Sequence, residues 1–175
     1  SPTLDGLDAQ GTNCSNLANI PSETMEIEQP IRIEEYGIVP NTEGAGLHRG
    51  GLAMVRKYRY LLDDTVVQLR SDRQKTSPYG LNGGLASQST KIEISKQGEI
   101  KNMPTKFLES LNSGDYMKIE WPGAGGWGNP KERDPELVLW DVIEEKVSVE
   151  RARDVYAVNI MPDKRSIDWT ETRKL

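Results

Sequence analysis

Alternation of apolar and polar residues with a period of two dominates the middle of the chain. Met25 and Ile27 alternate with Thr24, Glu26 and Glu28, and Ile31 and Ile33 alternate with Arg32 and Glu34. That period marks strands with one wet face. Pro30 separates the two runs, where it suits an edge or a bend but not a central ladder. Further on, Leu52, Met54, Arg56, Tyr58 and Tyr60 fall on one side of a run, and Ala53, Val55, Lys57 and Arg59 on the other. Asp63-Asp64 reads as a turn into the β-rich run 65–70, so 52–62 and 65–70 are expected to form a hairpin. Residues 90–95 predict a strand, Gln97-Gly98 a turn and 99–103 its partner. Thr105, Phe107 and Leu108 predict a brief turn or helix, and 116–121 (YMKIEW) one more strand.

After residue 130 the pattern becomes helical. Asp134-Pro135 combines an N-cap with proline at the first helical position. Leu139, Val142, Ile143 and Val147 then recur on one face. Ser148 caps a second helix, 149–156, with Ala152 and Val155 facing in and Arg151 and Arg153 facing water. The expected class is α+β: mainly antiparallel β hairpins with glycine-rich loops, followed by two short C-terminal helices. Four segments are expected. Residues 1–22 are an extended segment lying on a partner surface, 23–130 a β-rich domain, 131–160 a two-helix segment, and 161–175 a polar tail docked through Trp169. The first segment has only turn formers (Asp5, Gly6, Asp8, Gly11, Asn13, Asn16, Asn19) and no periodic apolar face.

Three glycine clusters fall between these elements: 41–51 (NTEGAGLHRGG), 71–84 (SDRQKTSPYGLNGG) and 121–135 (WPGAGGWGNPKERDP). If the strands share a sheet, the three loops could converge on one rim, and loops at strand ends carry function more often than the sheet does. The third is the densest, with Gly123, Gly125, Gly126 and Gly128 beside Trp121 and Trp127. Glycine is used where φ is positive or where another group approaches the backbone closely. The loop is therefore expected to pack against a partner surface or to line a cavity, with Gly125, Gly126 and Trp127 as contacts. A Cβ at Gly126 is expected to harm assembly before folding. No Gly-Lys-Ser/Thr follows, so it is not a nucleotide-binding P-loop.

The one histidine, His48, sits in the first cluster beside Arg49. A histidine can act as general base, but no nucleophile or carboxylate pair stands near it in sequence, and a locally hydrogen-bonded loop residue is the simpler reading. Arg49, between glycines, suits a bidentate grip on a carboxylate or phosphate, and Arg73 in the second cluster is a further contact candidate. Asp5 and Asp8 are oxygen ligands for a hard cation, but not at the spacing of a calcium loop. No metal site is expected in this chain.

Composition narrows the classes. At net charge −5, a nucleic-acid binder is not expected. A single cysteine, Cys14, allows no internal disulfide and favours a reducing compartment. No apolar run reaches the ~20 residues of a membrane span, so a cytoplasmic protein is expected. The mean hydropathy of −0.63 is polar for a self-sufficient globule, and with no initiator methionine the chain reads as part of something longer.

The runs 44–61 (GAGLHRGGLAMVRKYRYL), 71–84 and 121–158, with the opening DGLDAQGTN, resemble the C-terminal part of the hydantoinase B family. That family takes in the B-type subunit of N-methylhydantoinase, the matching half of 5-oxoprolinase, and the large subunits of acetone and acetophenone carboxylases. Tyr79 and Asn82 are small departures from its pattern. The resemblance implies an ATP-dependent enzyme, with ATP and Mg bound by an A-type partner subunit of the actin-like ATPase class. It implies hydrolysis of a cyclic amide; the alternatives are carboxylation of an enolisable ketone, or a non-catalytic assembly role. It places a divalent metal outside this chain, in the N-terminal portion of the B-type subunit, and makes that portion, the A-type subunit and a small-molecule substrate the expected partners. This chain alone is expected neither to hydrolyse ATP nor to turn over substrate.

Overall fold

The computed structural model describes residues 1–11 and 18–172. Cys14, Asn13 and Asn16 lie outside the described residues. Seven strands form two antiparallel sheets. β1 (Ile31–Val39), β2 (Ala53–Tyr60), β7 (Tyr116–Glu120), β4 (Lys91–Lys96) and β5 (Glu99–Asn102) pair in that order. β3 (Thr65–Arg70) and β6 (Lys106–Leu111) make a separate two-stranded ribbon. The C-terminal helices α2 (Pro135–Ile143), α3 (Val149–Tyr156) and the short α4 (Trp169–Thr172) follow. The class is α+β, as the alternation predicts.

Register sorts the large sheet into two faces. Tyr58 stands opposite Ile33 and Met117, and Met117 opposite Ile94, so these side chains share a face. There Ile94, Met117 and Tyr60 pack with Val67 and Leu111 of the ribbon. The opposite face carries Lys57, Lys118 and Glu93 in one row and faces water. The β4–β5 turn has positive φ at both Gln97 and Gly98, the backbone that a two-residue hairpin requires.

A second core joins the helices to the first glycine cluster. Ala45 is buried with Val138, Leu139, Val142, Val147, Ala152 and Tyr156. The caps are those the sequence predicts: Asp134 accepts from the Glu136 N–H, and Ser148 from the Arg151 N–H.

Six expectations are corrected. Residues 22–28 are not a strand but α1 (Ser22–Glu28), with Pro21 at its N-cap. Its run of Glu and Met favours helix, and Ile27 is 86% exposed, so the alternation there reflects no buried face. The hairpin of 52–62 with 65–70 does not form, because β1 and β7 already occupy both edges of β2; β3 is left to pair with β6. Residues 105–108 belong to that strand rather than to a turn or helix. Ile143 points to solvent. Arg151 does not face water: its Nε donates to the buried Glu43 at 2.6 Å. The tail docks through Ile160 and Ile167, which bridge each other, while Trp169 is exposed.

Candidate functional site

The three glycine clusters do meet, and backbone hydrogen bonds join them. Residues 124–128 run between the other two. On one side the Gly44 N–H donates to the Ala124 carbonyl, and His48 and Trp127 exchange bonds of 2.9 and 3.0 Å. On the other, the Leu81 N–H donates to Gly126 and the Gly128 N–H to Leu81. Leu85 closes the set, donating to Ala45 and accepting from Gly126. The rings of His48 and Trp127 stack with centroids 6.0 Å apart.

Gly125 and Gly126 have no positive φ; only Gly128 of this loop does. What they need is space. A Cβ on Gly126 would lie 2.5 Å from the Gly44 carbonyl oxygen, and one on Gly125 would lie 2.5 Å from the Tyr79 carbonyl carbon. The close approach comes from this chain's own loops, not from a partner. That corrects the expectation that added side chains would spare folding.

Beneath the rim lies a buried ion network. Arg49 Nε donates to Asp141 Oδ1 at 2.9 Å, and its Nη1 to Asp8 Oδ1 at 3.2 Å and to the Gly50 carbonyl. Arg133 donates to both oxygens of Asp5, at 2.7 and 2.8 Å, and to Asp141 Oδ2 at 2.9 Å. Lys146 reaches Asp8 Oδ2 at 3.2 Å. Three cations and three carboxylates thus neutralise one another. Burial alone would raise the Asp5 carboxyl, but the hydrogen bonds and charge of Arg133, with the charge of Arg49, hold it below its ordinary value. Burial likewise opposes ionisation of Asp8, and the Leu52 N–H, Arg49 and Lys146 outweigh it. Next to this network, Glu43 accepts from Arg151 and from the Tyr156 hydroxyl at 3.0 Å. Burial, then the Glu43 charge, pushes the Tyr156 phenol far above its usual range.

The sequence candidates therefore divide. His48, Arg49, Gly125, Gly126 and Trp127 come together, whereas Arg73 is exposed in a left-handed backbone position and makes no ion pair among the described residues. Arg49 binds this chain's own carboxylates, which corrects the expectation of an arginine free to grip a ligand. His48 Nδ1 stands 3.8 Å from Asp5. The carboxylates that converge here are already matched by guanidinium and ammonium groups, so they do not fit a divalent metal. Among the described residues, no group of three or more His, Cys, Asp or Glu could hold one, and no helix is long and apolar enough to cross a membrane.

A family profile described as Hydantoinase B/oxoprolinase matches residues 1–130. The chain belongs to the Hydantoinase B/oxoprolinase family. A protein of Methanocaldococcus jannaschii, MJ0963, is 39% identical over 90% of this chain and 28% of its own length. A B-type D-/L-hydantoinase subunit of a Pseudomonas species is 32% identical over 98% of this chain and 29% of its own length. The chain thus spans less than a third of these relatives. Among solved structures, nucleotide-free acetone carboxylase has the same fold, with a TM-score of 0.85 over 98% of this chain and 28% of its own, at 19% identity.

Within this family member, sequence reasoning finds the rim and misses the network. Asp5 and Asp8 read in sequence as ligands for a metal cation; they are ligands of side-chain cations instead. Asp141 had a legible signal, since a carboxylate falls at the inward spacing of Val138 and Val142 on α2. Arg133 and Glu43 had none, because their partners lie over a hundred residues away.

Proposed function

We propose that this chain is the C-terminal portion of the B-type subunit of an ATP-dependent enzyme that opens a cyclic amide of the hydantoin, lactam or 5-oxoproline type. The supporting observation is the 32% identity to the B-type hydantoinase subunit over 98% of the chain, against a likeness of fold alone to the carboxylase at 19%. ATP, bound by an A-type partner, would supply the phosphoryl group that makes an unreactive carbonyl reactive. The residues of this chain would hold the shape of the site: the rim is fixed by its backbone, and Arg49 and Arg133 have their carboxylates within the chain. Reacting groups and metal ligands would come from the N-terminal B-type portion and the A-type subunit.

The test is product analysis on the complex of this chain with those two partners. Given ATP with a hydantoin or lactam, the complex should form the ring-opened product together with ADP; given a ketone and bicarbonate, it should form nothing. A carboxylated ketone would replace this reading with the carboxylase one. His48→Ala should retain most turnover of the assembled enzyme. A loss as large as that of a catalytic base, on the order of 10²-fold or more, would move His48 into the chemistry.

A further inference from the structure

One arginine in the molecule has no carboxylate. Arg56 lies mid-strand in β2, only 4% exposed. Its Nε and Nη2 are buried and without a hydrogen-bond partner. Its Nη1 contacts only the Tyr58 hydroxyl at 3.4 Å and the Met25 sulfur at 3.6 Å. The Tyr36 ring lies 4.1 Å from the guanidinium carbon. A cation–π contact offsets part of the desolvation of a guanidinium but satisfies no N–H donor. Burying an unpaired charge costs several kcal/mol, so such a group is expected to find a carboxylate.

The surroundings have the character of an unfinished interface. Tyr36 and Ile38 share the face of Arg56 and Met54, and both are exposed. Over them lies α1, which buries none of its own residues and leaves Ile27 bare. Tyr and Arg ringed by apolar side chains are the residues that concentrate binding energy at interfaces. A freely diffusing ligand is the poorer candidate, because the free nitrogens are sealed from solvent and the cavities of about 280 and 400 Å³ are lined by other residues. A polypeptide surface is the better one, since relatives carry more than two-thirds of their length beyond the part this chain matches.

We infer that Arg56, with Tyr36 and Ile38 around it, receives an aspartate or glutamate side chain of the remaining B-type portion, which docks on the β1–β2 face and displaces α1. This rests on the reading of the chain as part of a B-type subunit. The chain would be labelled at arginine nitrogen and mixed with the rest of the M. jannaschii relative, expressed without the matching segment. The Arg56 Nε–H resonance should move on binding, and Arg56→Met should weaken association by about 30-fold or more. In the isolated chain the same variant should melt no lower than wild type, because no ion pair is lost. Association unchanged by Arg56→Met would overturn the inference while leaving the B-type reading intact. Failure of the wild-type chain to associate would overturn the docking, and the product analysis above would still decide the reaction. A resonance that moves with acetate alone, and not with the polypeptide, would assign the site to a small carboxylate and overturn the proposed source.

Discussion

Two sets of ion pairs in this molecule use the same chemistry in opposite settings. Beneath the rim, the side chains of Arg49, Arg133 and Asp141 are 6%, 1% and 7% exposed. On the wet face of the sheet, Lys57, Arg59, Glu34 and Glu35 are 24%, 33%, 26% and 44% exposed. The difference is also one of topology. Glu34 reaches Lys57 and Arg59 on the adjacent strand, which the β1–β2 ladder already holds. The buried set ties the start of the chain, the first glycine cluster and α2 together, segments that share no ladder. Exposed pairs decorate a structure fixed by other forces; buried pairs here define where three segments sit.

The sharpest way to break this comparison is to remove the shared acceptor. Asp141→Ala takes a partner from both Arg49 and Arg133 and leaves two buried cations short of charge. The expected loss is about 3–5 kcal/mol, read from urea unfolding of the 175-residue chain. A loss below about 1 kcal/mol would mean that water or rearrangement satisfies the arginines and that the network fixes nothing.

A smaller effect separates charge from backbone in the same region. Gly126→Val places a side chain where the Gly44 carbonyl and Ala45 already lie. The loops must part, at about 2–3 kcal/mol. The loss should appear in the melting of the isolated chain, before any partner is added. Gly37→Ala is the control, since nothing lies within 4 Å of a Cβ there and its φ is ordinary. It should stay within about 0.5 kcal/mol of wild type.

How much of this was legible follows from the range of each interaction. Strand alternation, the Gln97-Gly98 turn and the two helix caps are local, and the chain shows them directly. The pairing partner of β3 is not local. Its neighbour in sequence, β2, looks available until β7, some sixty residues on, takes its second edge. The glycine density announces a tight meeting of loops, but not that all the loops belong to this chain. The network was least legible, because Asp5 and Arg133 read separately as a turn former and a solvated charge.

Acid should find the buried set first. The Asp5 and Asp8 carboxyls are held below their ordinary values in the folded chain. Groups depressed in this way contribute stability above the unfolded value of about 4, and that stability is lost as pH falls through the folded values. Urea midpoints should therefore drop on acidification below that range. The double variant Asp5→Asn with Asp8→Asn should be less stable at pH 7 and show a flatter dependence. A double variant as steep as wild type would place the acid sensitivity elsewhere.

The smallest effect belongs to the sheet. Glu34 sits at the register shift of β1, between Ile33 and Glu35. An extra residue at such a bulge re-aims its neighbours, and here Glu34 meets Lys57 and Arg59 while Glu35 meets Lys118. Hydrogen bonding to Arg59, then to Lys57, holds the Glu34 carboxyl at about 2. In so open a position solvent screens most of what that shift would otherwise contribute, and exposed pairs are typically worth about 0.2–1 kcal/mol. Glu34→Gln should cost about that much at low salt. At ~1 M NaCl, where the screening length falls to about 3 Å, the cost should vanish, while the Asp141→Ala loss persists because its charges lie out of reach of solvent ions. Equal salt sensitivity in both variants would show that water reaches the network beneath the rim, and burial would no longer distinguish the two sets.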